Sequence, residues 1–180
     1  CRVWGQKSLW DQQPRPREVA GSTLCLIGLG SIGQKVAIRA AALGIRVLAL
    51  REHPEKGFGC ELPPAQDGTH AVFASSELDR VLPQADYVLL AAPLTPKTSA
   101  LMNAARFARM KGDAYLINVA RGALVDEGAL ADALRSRQIA GAALDVFAAE
   151  PLPPESPLWD LEDLLITPHT AAVTEHLWER

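Results

Sequence analysis

The amino-acid sequence predicts an α/β fold in which a parallel β-sheet carries helices on both faces. Along its 180 residues, short apolar runs rich in β-forming residues alternate with segments of helical periodicity. A glycine-rich turn, Gly28-Leu29-Gly30-Ser31-Ile32-Gly33, stands between one such run and a helical pattern. With 48 % hydrophobic and 22 % charged residues, the composition is that of an ordinary globular protein, and the length is sufficient to bury a core, with one large domain as the default.

The predicted elements follow in chain order. A strand at Thr23–Ile27 leads into the turn, and a helix from Ser31 carries apolar residues at helical spacing until Gly44, a residue type that commonly ends helices. A second strand is predicted at Arg46–Leu50, and the polar stretch 51–68, which contains several prolines, is predicted to be a loop. Beyond it we predict strands at 70–73, 87–91, 114–119, 142–146 and 163–167, and helices at 76–82, 103–108 and 126–137.

Charge and composition restrict the partners. The net charge of −3 gives no electrostatic reason to expect a nucleic acid or an acidic membrane as partner. The longest apolar runs, such as 87–93, are too short to span a bilayer, and residues 1–17 lack the apolar stretch of a signal peptide. Cys1, Cys25 and Cys60 have no CxxC spacing, so we expect a reduced, cytoplasmic protein without a metal site.

The glycine-rich turn has the sequence context of a dinucleotide site, because a strand precedes it and a helix follows. Gly28 allows the tight turn, Gly30 allows the backbone to approach a pyrophosphate, and Gly33 allows close packing of helix and strand. The alternative is a glycine-rich turn without a ligand. We interpret the fold as a doubly wound sheet of the Rossmann type.

The residue at the end of the second strand indicates which dinucleotide binds. NAD sites usually have Asp or Glu there to accept from the ribose hydroxyls, whereas this chain has Arg51 followed by Glu52. Arginine cannot accept those protons, but it can pair with a 2′-phosphate. The sequence therefore favours NADP(H). NAD(H) stays possible, with Arg51 solvated and Glu52 contacting the ribose.

Three charged or titratable residues follow strand-like runs downstream of the turn. Arg121 can hold a carboxylate, His169 can protonate a carbonyl oxygen near neutral pH, and Glu150 can raise the pKa of that imidazole and fix its tautomer. Together they fit the reduction of a 2-keto acid. Taken singly, each also fits a structural role, as a turn cap, a loop acid or a core histidine. The remaining histidines are predicted to be surface residues: His53, His70 and His176.

Five segments resemble one family closely, the D-isomer-specific 2-hydroxyacid dehydrogenases, including their glyoxylate/hydroxypyruvate reductase and phosphoglycerate dehydrogenase branches. They are GLGSIGQKVA, ADYVLLAAPLTPKTSALMN, INVARGALVDEGAL, AALDVFAAEPLPPESPLW and ITPHTAAVT. The resemblance places the family's catalytic arginine, glutamate and histidine on Arg121, Glu150 and His169. It implies backbone contacts to the pyrophosphate from Ser31 and Ile32. It also implies contacts on the nicotinamide side from Thr98, Val119, Ala120 and Asp145, whose carboxylate would accept from the carboxamide.

The chain departs from the family pattern at two sites and in its extent. Arg51 replaces an acidic residue, which puts strict use of NAD in doubt, and Thr170-Ala171-Ala172 stands where relatives often have a glycine pair. The family's substrate domain, built from both chain ends, is largely absent, and the chain does not begin with Met, so we expect an excised domain that turns over poorly alone. We divide the chain into an N-terminal arm (1–20), a dinucleotide-binding domain (21–174) and the start of a return segment (175–180).

The resemblance implies an oxidoreductase of small 2-keto or 2-hydroxy acids, with glyoxylate or hydroxypyruvate favoured. A homodimer is expected for the full-length protein, with residues 4–10 at its interface. Two alternatives stay open: a nucleotide-sensing corepressor or scaffold of the same fold, and a cofactor-binding fragment that is inactive alone. Phosphoglycerate is not excluded as a substrate, although no additional phosphate site is evident.

Overall fold

The computed structural model describes residues 17–65 and 68–174, with a seven-stranded sheet at its centre. The strands are β1 (Thr23–Ile27), β2 (Arg46–Arg51), β3 (Ala71–Ala74), β4 (Tyr87–Leu90), β5 (Tyr115–Asn118), β6 (Gly141–Leu144) and β7 (Leu164–Ile166). Every neighbouring pair is parallel, and the spatial order is β3-β2-β1-β4-β5-β6-β7. The strand order reverses between β1 and β4, and parallel α/β sheets bind ligands at the carboxyl ends of the strands beside such a point.

Helices cover both faces of the sheet, as the sequence predicts. They are α1 (Ser31–Ala42), α2 (Leu78–Val81), α3 (Ala104–Phe107) and α4 (Glu127–Arg135). Because side chains alternate along a strand, β1 and β2 contribute to two separate cores. On one face α1 packs with Leu24, Leu26, Val47 and Ala49. On the other, α2, α3 and α4 pack with Cys25, Ile27, Leu48 and Leu50. The predicted Rossmann-type fold is confirmed.

Helix and strand boundaries differ from the predicted ones by one or two residues, and capping explains two of the differences. Asn103 and Asp126 stand outside α3 and α4 because their side chains accept the N–H groups of Arg106 (3.2 Å) and Ala129 (3.0 Å). The described part of the predicted loop 51–68 contains one 3₁₀ turn, Pro54–Lys56. The predicted helix 76–82 is a short α-helix flanked by 3₁₀ turns.

His70 is half-buried, so its prediction as a surface residue was wrong. Its Nδ1 accepts the N–H of Val47 at 3.0 Å, which leaves Nε2–H to donate to the carbonyl of Pro63 at 2.8 Å. The ring thus satisfies a β2 amide just before β3 begins at Ala71. His53 is exposed, in agreement with its prediction, and His176 lies outside the described residues.

The predicted division into domains stays a prediction, because most of the N-terminal arm (1–16) and the whole return segment (175–180) lie outside the described residues. Arg17, in the described part of the N-terminal arm, contacts Asp86 and Asp113, which precede β4 and β5. No helix within 17–65 or 68–174 is long and apolar enough to cross a membrane.

Candidate active site

The glycine-rich turn joins β1 to α1 at the carboxyl edge of the sheet. Gly28 has φ +98°, and a Cβ there would lie 2.6 Å from the backbone of Ala91 and Ala92. A Cβ on Gly33 would lie 2.2 Å from the carbonyl oxygen of Gly28, so both positions require glycine for packing reasons alone. Gly30 differs, because a Cβ there would meet nothing within 4 Å. The packing of this chain gives no reason for glycine at that position, whereas a bound pyrophosphate would.

The N-terminus of α1 fits an anion. Gly30 is the N-cap, no side chain caps the helix, and its first turn contains no acidic residue. Ser31 and Ile32 are exposed at the same position. The first amides of a helix have no partners inside it and lie at the positive end of its dipole. A dinucleotide pyrophosphate, predicted to contact Ser31 and Ile32, therefore matches this cradle in charge and in space.

Two cations lie near the end of β2. Arg51 is the last residue of the strand and is half-buried, with Nη1 donating to the carbonyl of Gly57 at 2.8 Å. Glu52 pairs with Lys97, whose Nζ lies 3.0 Å from Oε1, and this hydrogen bond and charge hold the pKa of Glu52 below its usual value. Sequence reasoning missed Lys97, since no local pattern connects residues 45 positions apart.

Thr98 shapes the loop after β4. Its hydroxyl donates to the carbonyl of Pro93 at 2.8 Å and accepts the N–H of Thr95, also at 2.8 Å. The Thr98 hydroxyl is thus hydrogen-bonded within its own loop. The expected contact of Thr98 on the nicotinamide side stays a prediction.

Glu150 and His169, predicted as partners, are brought together by the loops that follow β6 and β7. Glu150 Oε2 lies 2.7 Å from His169 Nδ1, and Oε1 accepts the N–H of Phe147 at 2.9 Å. The hydrogen bond from His169, followed by that from Phe147, lowers the pKa of Glu150. The carboxylate is therefore ionised near neutral pH and orients the imidazole through Nδ1, which leaves Nε2 available.

Asp145 fixes the turn that carries His169. Its Oδ1 accepts the hydroxyl of Thr167 (2.5 Å) and the N–H of Thr170 (2.9 Å), and its Oδ2 accepts the N–H of Ala171 (2.9 Å). Burial opposes ionisation of this carboxyl, but the three hydrogen bonds outweigh it and hold its pKa below the usual value. His169 has φ +54°, a left-handed conformation that costs a non-glycine residue roughly 1 kcal/mol. The Asp145 bonds on both sides of His169 offset this strain. The expected carboxamide contact of Asp145 stays a prediction.

Arg121 follows β5 at the same edge of the sheet and is exposed. Within the described residues it makes no hydrogen bond or ion pair with Glu150 or His169, and its Nη1 donates to the carbonyl of Ala120 at 2.6 Å. The fully buried Asn118, which sequence reasoning missed, shapes this loop by accepting the N–H of Ala120 (3.0 Å) and donating to the carbonyl of Arg121 (2.9 Å). An asparagine at the end of an otherwise apolar strand was the available signal.

An open, largely apolar hollow of about 240 Å³ lies beside the turn that carries His169, lined by residues of β5, β6 and β7 and of the loops that follow them. Val119, predicted to contact the nicotinamide, lines it together with Asp145 and Thr170. Ala120 is buried beside it. The carboxyl edge thus carries an anion cradle at β1, a cation at β2, an arginine at β5 and a carboxylate–imidazole pair at β6 and β7.

A family model and a curated relative both match this chain and point to the same family. The family model described as "D-isomer specific 2-hydroxyacid dehydrogenase, NAD binding domain" matches residues 2–171. A glyoxylate reductase of Korarchaeum cryptofilum is 39 % identical over 167 residues, which is 91 % of this chain and 46 % of that protein. The chain therefore spans less than half the length of this relative.

Solved structures show the same similarity. Phosphoglycerate dehydrogenase from Lactobacillus plantarum superposes with a TM-score of 0.81 and 35 % identity, covering 96 % of this chain and 54 % of that one. A D-isomer specific 2-hydroxyacid dehydrogenase from Xanthobacter autotrophicus, solved in complex with NADPH and MES, gives 0.77 and 38 %, covering 96 % and 67 %.

Proposed function

This chain belongs to the D-isomer specific 2-hydroxyacid dehydrogenase family, and from that premise we propose that it is the nucleotide-binding part of a reductase of small 2-keto acids that uses NADP(H). Glyoxylate or hydroxypyruvate is the favoured substrate. The Glu150–His169 pair carries the proposal, because it places an oriented imidazole on the same sheet edge as the glycine-rich turn.

The pair suits proton transfer to a carbonyl oxygen. Glu150 holds Nδ1 at 2.7 Å, so the protonated imidazole presents Nε2–H to the substrate. When bound, the nicotinamide supplies or accepts the hydride at the carbonyl carbon. As negative charge develops on the oxygen, Nε2 donates its proton, and in the oxidative direction Nε2 accepts it back. The ionised Glu150 keeps the ring oriented through Nδ1.

Arg121 would position the substrate. Its guanidinium is exposed just after β5, and among the described residues its one hydrogen bond is to the backbone carbonyl of Ala120. A 2-keto acid offers a carboxylate whose two oxygens match the two N–H groups of a guanidinium. Binding there would direct the adjacent carbonyl toward His169.

Arg51 supports NADP(H) as the preferred cofactor. It lies at the end of β2, where folds of this type usually contact the adenosine ribose, and its hydrogen bond to the carbonyl of Gly57 leaves other N–H groups of the guanidinium for a 2′-phosphate. The NADPH-bound Xanthobacter autotrophicus relative supports the same choice. NAD(H) would need Glu52 to contact the ribose instead.

We also propose that the intact protein is a cytoplasmic homodimer. The cytoplasm fits because Cys25 and Cys60 are free thiols. Burial raises the pKa of Cys25, so this thiol stays protonated. Light scattering of the full-length protein tests the dimer.

The proposed activity is tested by oxidation of NADPH with glyoxylate, hydroxypyruvate or 3-phosphohydroxypyruvate on the full-length protein. We expect turnover of the first two and a loss of at least about a hundredfold in His169→Gln, as is typical for a general acid. Arg109→Gln, which changes an exposed residue after α3, should leave the rate unchanged. Equal rates in wild type and His169→Gln would refute the proposed acid, and no turnover of any of the three would refute the proposed substrate class.

A further inference from the structure

We propose that Lys97 is a second cation for the 2′-phosphate of NADP(H). When that phosphate binds, Lys97 exchanges its present ion-pair partner, Glu52, for the phosphate. The inference rests on the proposed function, because it assumes that the adenosine end of the cofactor lies at the end of β2.

The Glu52–Lys97 pair spans the cofactor crevice. Glu52 directly follows β2, whereas Lys97 lies in the loop after β4, and these two strands flank β1. Lys97 Nζ nevertheless reaches Glu52 Oε1 at 3.0 Å. The ion pair therefore links the segments that follow the two strands on either side of β1, whose own carboxyl end leads into the glycine-rich turn at Gly28. We expect a dinucleotide that extends from this turn to the end of β2 to lie next to the ion pair.

The backbone that carries Lys97 is held by hydrogen bonds of its own turn, while its side chain is largely exposed. Thr98 and Ser99 donate their N–H groups to the carbonyl of Thr95 at 3.0 and 2.9 Å, and the Thr98 hydroxyl adds its own bonds to the turn. The side chain of Lys97 itself is 83 % exposed and that of Glu52 is 70 % exposed. An ion pair so exposed contributes little to stability, so exchanging its partner costs little.

A 2′-phosphate is a better partner for Lys97 than Glu52. It has up to two negative charges and three acceptor oxygens, against one charge and two oxygens on a carboxylate. Arg51, adjacent to Glu52, provides the first cation from its half-buried position. When NADH binds, in contrast, Lys97 stays paired with Glu52, and the Glu52 carboxylate can also accept a hydrogen bond from a ribose hydroxyl. The same ion pair thus accommodates both cofactors and favours the phosphorylated one.

The test is calorimetric titration of the chain with NADPH and NADH in wild type, Lys97→Met, Glu52→Gln and the control Arg109→Met. We expect Lys97→Met to weaken NADPH binding about tenfold, the effect of one charge-assisted hydrogen bond, and to leave NADH unchanged. Its NADPH affinity should also depend less steeply on salt, because one charged contact is lost. Glu52→Gln should tighten NADPH and weaken NADH, and Arg109→Met should change neither.

The outcomes separate this inference from the proposed function. If wild type binds NADPH no more tightly than NADH, the proposed cofactor preference is wrong. If wild type prefers NADPH but Lys97→Met loses affinity for both cofactors equally, or for neither, the role of Lys97 is refuted and that of Arg51 stands. Titration with 2′,5′-ADP against 5′-AMP checks that the lost contact is to the 2′-phosphate.

Discussion

Replacing Asp145 by asparagine tests whether this carboxylate holds the histidine turn. The wild-type side chain accepts three hydrogen bonds, two at Oδ1 and one at Oδ2. An asparagine has one carbonyl oxygen and one NH₂ group, and only the oxygen accepts. If the oxygen stays near Thr167 and Thr170, the NH₂ group faces the N–H of Ala171. If the amide flips, it faces the N–H of Thr170. In either orientation one backbone donor loses its acceptor.

The expected cost is about 1–3 kcal/mol, the usual effect of removing one partner of a hydrogen bond to a charged group. Asp145 is only 5 % exposed, but Thr170 and Ala171 are exposed. Because a freed amide at either residue can bond to water, we expect a cost in the lower half of this range, about 1–2 kcal/mol. For a chain of this size, a cost of about 1–2 kcal/mol corresponds to a melting temperature roughly 2–8 °C lower.

The loss should also depend on pH. The pKa of Asp145 is lowered from its ordinary value of 3.8, so the carboxylate stabilises the fold above that value, and this contribution disappears as the pH falls through the lower folded pKa. The difference in unfolding free energy between wild type and Asp145→Asn should therefore be constant near neutrality and shrink below about pH 4.

Urea denaturation at pH 7 and at pH 3.5 measures both effects, and amide exchange at Thr170 and Ala171 shows whether the turn has opened. Asp160→Asn, an exposed carboxylate, is the matched control and should be neutral. An Asp145→Asn variant as stable as wild type, with both amides still protected, would show that the hydrogen bonds of the Asp145 carboxylate contribute nothing to stability.

Three further predictions concern the glycines and the Glu150–His169 pair. Gly122→Ala should destabilise the fold by about 1–3 kcal/mol, the usual cost of overpacking, because its Cβ would lie 1.8 Å from the carbonyl carbon of Phe147. Gly112→Ala, whose Cβ would meet nothing within 4 Å, should be neutral or slightly stabilising in thermal denaturation. Gly30→Ala should keep the melting temperature of the wild type but lose at least about tenfold in NADPH affinity, because the added methyl group would occupy the space of the pyrophosphate. Unchanged NADPH affinity would show that the cofactor binds elsewhere. His169→Ala should raise the pKa of Glu150 toward its ordinary value by removing the main hydrogen bond that lowers it, and ¹³C titration of the carboxyl checks this.

The fold was predictable because its signals are local. Each strand is a short apolar run, and the turn between β1 and α1 has glycines where Gly28 and Gly33 leave no room for a Cβ. The partnership of Glu150 and His169 was also predictable, although 19 residues separate them, because both follow strands of one parallel sheet.

Long-range contacts of single side chains were not predictable. Lys97 meets Glu52 across β1, and Asp145 binds a turn 22 to 26 residues away, and both contacts depend on strand order and loop geometry. His70 was misjudged for the same reason. It satisfies the amide of Val47 on a neighbouring strand, and its own sequence surroundings give no sign of that bond.

A crystal structure of the chain with NADPH would show whether the glycine-rich turn and the Glu150–His169 pair serve one reaction site. We expect the pyrophosphate on the amides of Ser31 and Ile32, the 2′-phosphate on Arg51, and the nicotinamide beside Val119 and Ala120, facing His169 Nε2. A nicotinamide bound away from the His169 turn, or a pyrophosphate away from the turn at Gly30, would contradict it.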